Sequence, residues 1–302
     1  MKWKDITMLK YILFLLSGYY YEILRERKDE IEENIKRAAP QIKVLLHRAP
    51  EGNFMTGEDT PKTQETKQIL SRETLVITDL PETARRCLKE GWYVTALYHE
   101  KNQGITFPAL KYGIEDVFAL EYRSYEDVYR RLRGLPWDIL ETQRLKVRES
   151  TLGDVEDFYR IYADPSITRY MENLFPQKEE EQAYMQAYID QIYGFYGYGL
   201  WTVVRKDDGR IIGRAGLSVR EGYELPELGF VMEVSCQRQG YGLEVCTAIL
   251  EYAREELSFD RVQALVKEKN LASKKLLERL GFGFERKVNE KEGEYEMYTV
   301  QL

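Results

Sequence analysis

The segment Gln237-Arg238-Gln239-Gly240-Tyr241-Gly242 stands between a strand-like apolar run, "LPELGFVME", and a helix-like one, "LEVCTAILEYAREEL". This strand–glycine–helix order constrains the chain more than any other feature. Two glycines let the backbone approach a ligand closely, and the first N–H groups of the following helix have no intrahelical acceptors. With the helix dipole behind them, such donors suit a pyrophosphate. No Lys-Ser/Thr follows the glycines and the spacing is not Gly-x-Gly-x-x-Gly, so neither familiar nucleotide loop is present. A plain strand-to-helix turn explains the pattern equally well when it is taken alone. The bracketing Cys236 and Cys246 also leave a redox pair open.

Composition narrows the field. The 302 residues suffice for two domains, and 43% hydrophobic with 31% charged residues is globular. The net charge is −7, and residues 144–302 hold most of the excess, with 22 Lys+Arg against 28 Asp+Glu. No basic surplus exists for a phosphate backbone, so nucleic acid is not the expected partner; a cationic ligand such as an amine fits better. Three cysteines and two histidines give no metal-ligand spacing, so no metal site is expected. Few cysteines and no signal peptide place the expected setting in the cytoplasm. "YILFLLSGYYY" is about half the roughly 20 residues a bilayer span needs, so no membrane partner is expected.

Along the chain, residues 5–38 read as helical throughout, ended by Ala39-Pro40. "IKVLLH" reads as a short strand, and residues 49–66, rich in Pro, Gly and Thr, as a loop. A strand–helix–strand pattern follows: "TLVITD", a helix from Pro81 to Gly91, "WYVTALYH", then a helix with Ser124 as its N-cap. This predicts a small Rossmann-like parallel α/β layer after an N-terminal helical segment, forming an accessory domain over 1–143. Residues 134–145 read as the hinge. Beyond it, Ser150-Thr151 cap a helix with Asp154 in its first turn. An aromatic-rich helix follows over 178–199, then a hairpin turning at Asp207–Gly209. The run "YGFYGYGLW" is read as packing between helix and sheet rather than as an ammonium cage.

About thirty residues after the glycines stands "NLASKKLLERLGF". With "LKVRESTLGDVEDFYRIYADPSITRYM", "IIGRAGL" and "ELGFVMEVSCQRQGYG", in that order, residues 144–302 resemble the GNAT superfamily of acetyl-CoA-dependent N-acyltransferases, in its ribosomal-protein N-terminal acetyltransferase-like branch. The resemblance implies a two-domain α/β chain whose second domain is an α+β GNAT fold with a mixed, centrally splayed sheet. It implies that the backbone of Phe230 to Val234 pairs with the pantetheine arm of acetyl-CoA, with Met232 and Val234 facing it. Gln237, Arg238, Gln239, Gly240, Tyr241 and Gly242, with Leu243 and Glu244, would hold the pyrophosphate, and Asn270 would bond the co-substrate beyond the splay.

The implied reaction is direct attack of a primary amine, a protein N-terminus or a small molecule, on the acetyl thioester. Glu227 is the first choice for the base and Glu224 the second. Many family members carry a tyrosine acid where this chain has Leu277, which leaves the acid unassigned; Ser273 or a tyrosine of the aromatic stretch is the alternative. A chain that binds acyl-CoA as a sensor without turnover is the second reading. Residues 68–134 loosely resemble a haloacid-dehalogenase-like half-domain through "ITDLPETARRCLKEGWYVTALYH". That family's Asp-x-Asp pair is absent from 1–143, so Asp79 is expected to serve as scaffold or docking point.

Overall fold

The computed structural model describes residues 9–49, 72–107, 109–291 and 293–302. The chain divides into two compact units after Leu135. No helix among the described residues is long and apolar enough to cross a membrane.

The first unit is a five-stranded parallel sheet in the order β2-β1-β3-β4-β5. Its strands are β1 (Tyr11–Leu16), β2 (Lys43–Arg48), β3 (Thr74–Thr78), β4 (Tyr93–Leu97) and β5 (Gly113–Ile114). Helices α1 (Gly18–Glu26) and α2 (Lys28–Ala38) lie between β1 and β2, α3 (Pro81–Lys89) lies between β3 and β4, and α4 (Tyr122–Leu132) follows β5. Ile12, Phe14 and Leu16 face a core shared with Tyr20, Ile31 and Tyr125. Leu13 faces the opposite one, with Ala84 and Cys87 of α3. The expected helix over 5–38 is therefore corrected: Tyr11–Leu16 is an inner strand between β2 and β3, and helix begins only at Gly18. A strand buried on both faces is a continuous apolar run and loses the alternation that would distinguish it from a helix. Residues 5–8 and the loop expected beyond Ala49 lie outside the described residues, apart from Ala49 itself. Pro81 opens α3 as expected, and Gly91 follows it at φ +75°. Helix α4 starts at Tyr122 with Glu121 as N-cap, so Ser124 sits inside its first turn rather than capping it.

The second unit is an eight-stranded sheet in the order β12-β13-β11-β10-β9-β8-β7-β6. Its strands are β6 (Asp138–Glu141), β7 (Leu145–Arg148), β8 (Leu200–Arg205), β9 (Ile211–Ser218), β10 (Glu227–Met232), β11 (Arg261–Lys267), β12 (Gly283–Glu290) and β13 (Gly293–Gln301). The expected hinge thus contains β6, the edge strand of this sheet. Strand β12, unanticipated from sequence, is the other edge. Every pairing is antiparallel except β10 with β11.

Helices α7 (Tyr241–Glu255) and α8 (Leu271–Arg279) cover one face, with Val245, Cys246, Ile249 and Leu277 in its core. Helices α5 (Val155–Tyr162) and α6 (Lys178–Tyr188) pack on a second core that includes Phe158, Ile161, Met185 and Val231. Thr151 and Asp154 form the expected capping box, and Asp154 also takes a bidentate pair of bonds from buried Arg148 at 2.6 and 2.8 Å.

Candidate active site

Strands β10 and β11 share a single register position, Glu227 opposite Gln263, where the Gln263 N–H donates to the Pro226 carbonyl at 2.9 Å. Beyond it β10 pairs with β9 alone, so the sheet opens into a gap. The Glu233 N–H donates to Ile212 of β9 at 2.8 Å. Backbone groups alternate sides along a strand, so the N–H and carbonyl groups of Met232 and Phe230 turn into the gap. Met232 shows this directly, since its carbonyl accepts from Gln237 Nε2 at 3.0 Å.

The strand ends at Met232, and Val234–Cys236 form a short 3₁₀ turn. The Met232 side chain is buried in the core and Val234 is 40% exposed on the turn, so neither lies on the strand edge by its side chain. Arg238 at φ +59° and Gly240 at φ +85° then bend the chain into α7. Gln239 Nε2 donates to the Ser235 carbonyl at 2.7 Å, bracing the loop. Among the described residues, no backbone N–H from Arg238 to Leu243 has an acceptor; the first bonded one is Glu244 N–H, on Gly240 at 3.0 Å. Six consecutive donors at a helix start form an anion cradle. A Cβ on Gly242 would lie 3.4 Å from Leu276 Cδ2 of α8, an ordinary van der Waals contact, so packing alone does not require glycine there.

The Glu244 carboxylate does not face this cradle. It accepts from Thr142 Oγ1 at 2.6 Å, from the Arg144 N–H at 2.9 Å and from Arg144 Nε at 2.6 Å. Burial pushes its pKa up, but the bonds from Thr142 and Arg144 outweigh burial and hold it below the usual range. Arg144 in turn donates to the Gln239 carbonyl at 3.0 Å and lies 4.2 Å from the ring centre of Tyr241, which is itself buried. Sequence reasoning missed Arg144, whose only signal is its place just before β7. It stiffens the loop from outside, beside a groove of about 540 Å³ that also takes in Leu243 and Thr247.

Asn270 caps α8, its Oδ1 accepting from the Ser273 N–H at 3.2 Å, which leaves its amide nitrogen as the group able to bond a ligand. Leu277 is fully buried in the core. At the vertex of the gap Gln263 is fully buried, and neither atom of its amide finds a partner. Glu227, 9% exposed, takes a bidentate pair from Arg220, one bond at 3.1 Å. Arg220 also lies 4.0 Å from Glu290, which accepts from the Tyr223 hydroxyl. Glu224 is exposed in the loop before β10. In the aromatic run Tyr193 and Trp201 are buried, whereas Phe195 is 80% exposed. Cys236 and Cys246 are both free and buried, and burial pushes the Cys246 thiol strongly up, so a redox pair is not formed.

A mixed sheet parted at one parallel pair, with a glycine-rich anion cradle at the end of the parting strand, defines an acyl-transfer class of fold. Residues 144–283 match the family model described as the acetyltransferase (GNAT) domain. Residues 144–283 thus carry an acetyltransferase (GNAT) domain. The chain is 28% identical over 166 residues to the uncharacterized N-acetyltransferase YoaA of Bacillus subtilis, covering 54% of this chain and 89% of that one. Solved structures similar to it include a GNAT-family acetyltransferase from Bordetella pertussis, 21% identical, TM-score 0.47, covering 54% of this chain and 99% of that one. Another is RimL, titled a ribosomal L7/L12 alpha-N-protein acetyltransferase in complex with coenzyme A, 16% identical, TM-score 0.48, covering 55% and 98%. The haloacid-dehalogenase resemblance of residues 68–134 is not borne out: the family match lies wholly in the second unit.

Proposed function

We propose that the protein transfers an acetyl group from acetyl-CoA to a primary amine by direct attack. The parting of β10 from β11 carries this reading, because it turns the Phe230 and Met232 N–H groups into a gap that ends at the unpartnered donors of Arg238–Leu243. Acetyl-CoA, when bound, supplies the activated carbonyl. The donors of residues 238–243 hold its pyrophosphate, and the Asn270 amide nitrogen contacts it beyond the gap. The Phe230 N–H, fixed by the β9 ladder, points where negative charge develops on the carbonyl oxygen. Glu227, oriented by Arg220, takes the proton of the attacking amine directly or through one water. The carbon–sulfur bond breaks as the carbon–nitrogen bond forms. Leu277 offers no proton, so the leaving thiolate takes one from water.

Acetyl-CoA at a hundred times its dissociation constant should stabilise the protein by about 2.7 kcal/mol. No thermal shift at saturation would remove the reading. Glu227→Gln should keep the shift yet lower kcat by about 100-fold or more and flatten the acidic limb of the pH–rate profile. An unchanged profile would take Glu227 out of the role of base.

A further inference from the structure

Arg214 of β9 is only 6% exposed, yet no carboxylate among the described residues pairs with it, and its Nε is buried without an acceptor. Its guanidinium carbon lies 4.7 Å from the ring centre of Phe158, and the Tyr162 hydroxyl is beside it. Tyr184, Tyr188 and Tyr193 are its other titratable neighbours, and none of them supplies a negative charge at neutral pH. A buried cation without an anion is costly, and each such unsatisfied group calls for an explanation.

Its position narrows that explanation. Arg214 lies in register with Val231 of β10, the residue after Phe230, and its side chain emerges on the face covered by α5 and α6. The gap lies on the far side of β10 from β9, so Arg214 does not reach the thioester carbonyl in the plane of the sheet. It faces the α5 and α6 layer, and Glu227, four residues before Val231, stands on the same face of β10. A second open group lies close by. Glu181 of α6 is 2% exposed, its Oε2 accepts from the Phe175 N–H at 3.0 Å, and its Oε1 has no partner. Tyr162 feels both Arg214 and Glu181. Helix α6 then runs into a π-helical turn over Ile189–Tyr193, an irregularity that recurs at functional sites.

We propose that Arg214 receives a carboxylate of the acceptor, so that the amine acetylated is one carrying a carboxylate a few bonds away, as free amino acids do. This rests on the acetyltransferase reading above. The test uses isothermal titration of the full chain, with and without bound CoA. The titrants are the L-amino acids, β-alanine and γ-aminobutyrate, each against its carboxamide, and Glu-Ala-Ala-amide against Gln-Ala-Ala-amide. At least one acid should bind about 30-fold more tightly than its uncharged partner. Whether that acid is a free amino acid or the peptide identifies the source of the carboxylate.

Arg214→Met should bring the ratio near unity while leaving the acetyl-CoA shift unchanged and Tm equal or higher, because an unpaired buried charge is removed. Arg214→Lys, which keeps the charge without the fork, should retain part of the discrimination even if the methionine variant folds poorly. The inference is overturned if no pair is discriminated in the wild type. It is equally overturned if Arg214→Met keeps the ratio, which would make Arg214 a packing partner of Phe158 only. Failure of acetyl-CoA to bind would strike the earlier reading alone, since the titrations without CoA still report on Arg214.

Discussion

Each unit has a place where ligands collect in proteins of its type, and the two differ in what their own side chains do there. In the parallel sheet that place is the carboxyl end of β1 and β3, where the strand order reverses and the start of α1 opens. Asp79 fills it. Its Oδ1 accepts from the Ser17 N–H at 2.7 Å, while its Oδ2 accepts from the Ser17 hydroxyl and lies 3.1 Å from His99 Nε2. Asn102 ties the arrangement to the Leu97 carbonyl at 2.8 Å, and Tyr20 stacks on His99. The helix N-terminus that would receive a phosphate already holds a carboxylate of the same chain. In the splayed sheet the equivalent donors, Arg238 to Leu243, are open, as are the Gln263 amide and Arg214 Nε. Saturated polar groups hold a fold together, whereas open ones mark where something binds.

Asp79→Ala is the most severe break in this comparison. It strips the Ser17 N–H, the Ser17 hydroxyl and His99 of a common partner that is 3% exposed, and should cost about 4 kcal/mol in chemical denaturation. Acetyl-CoA affinity should stay within about twofold, since no ligand is assigned to that cluster. A loss below about 1 kcal/mol would show that the cluster is not what secures α1 to β3.

Gly240→Asp inverts the pattern. At φ +85° an L-residue is strained by about 1 kcal/mol, and its Cβ would meet Arg144 Nη2 at 3.3 Å. The new carboxylate thus competes for the arginine that braces the loop and adds negative charge beside the proposed pyrophosphate site. Acetyl-CoA should bind about 100-fold more weakly by calorimetry, with little change in the midpoint of the free protein. Retained affinity would mean that the open donors are not the phosphate site.

The same distinction governs how much was legible in the sequence. Gly240, the strand before it and the hairpin at Asp207–Gly209 declared themselves, and at Gly240 and Gly209 a positive φ favours glycine. Strand β1 did not, because burial on both faces erases periodicity. Strand β12 did not either, because nearly all of "GFERKVNE" is exposed and carries no apolar alternation. The site divided likewise. Its backbone donors were readable from Gln237–Gly242. Arg144, Arg214 and Gln263 were not, because what sets them apart is the partner each finds or lacks across the sheet. Arg214 left one trace, a charge inside the apolar run "IIGRAGL".

The smallest effect belongs to a carboxylate of the first unit whose burial its charged neighbours do not fully offset. Burial raises Asp127 of α4 to about 6, with Arg123 only partly offsetting it. The folded value lies above the unfolded one of about 3.8, so the folded state binds the extra proton between them. The stability this provides is full below about pH 4 and is lost as pH rises through about 6. Above that the ionised carboxylate is a standing cost, reduced by its partial exposure to about 1 kcal/mol. Asp127→Asn should therefore stabilise the protein by about 1 kcal/mol at pH 7.5 and by almost nothing at pH 4, read from denaturation midpoints at the two values. A gain that is equal at both would point to helix propensity or packing instead, and would remove burial of the charge as its cause.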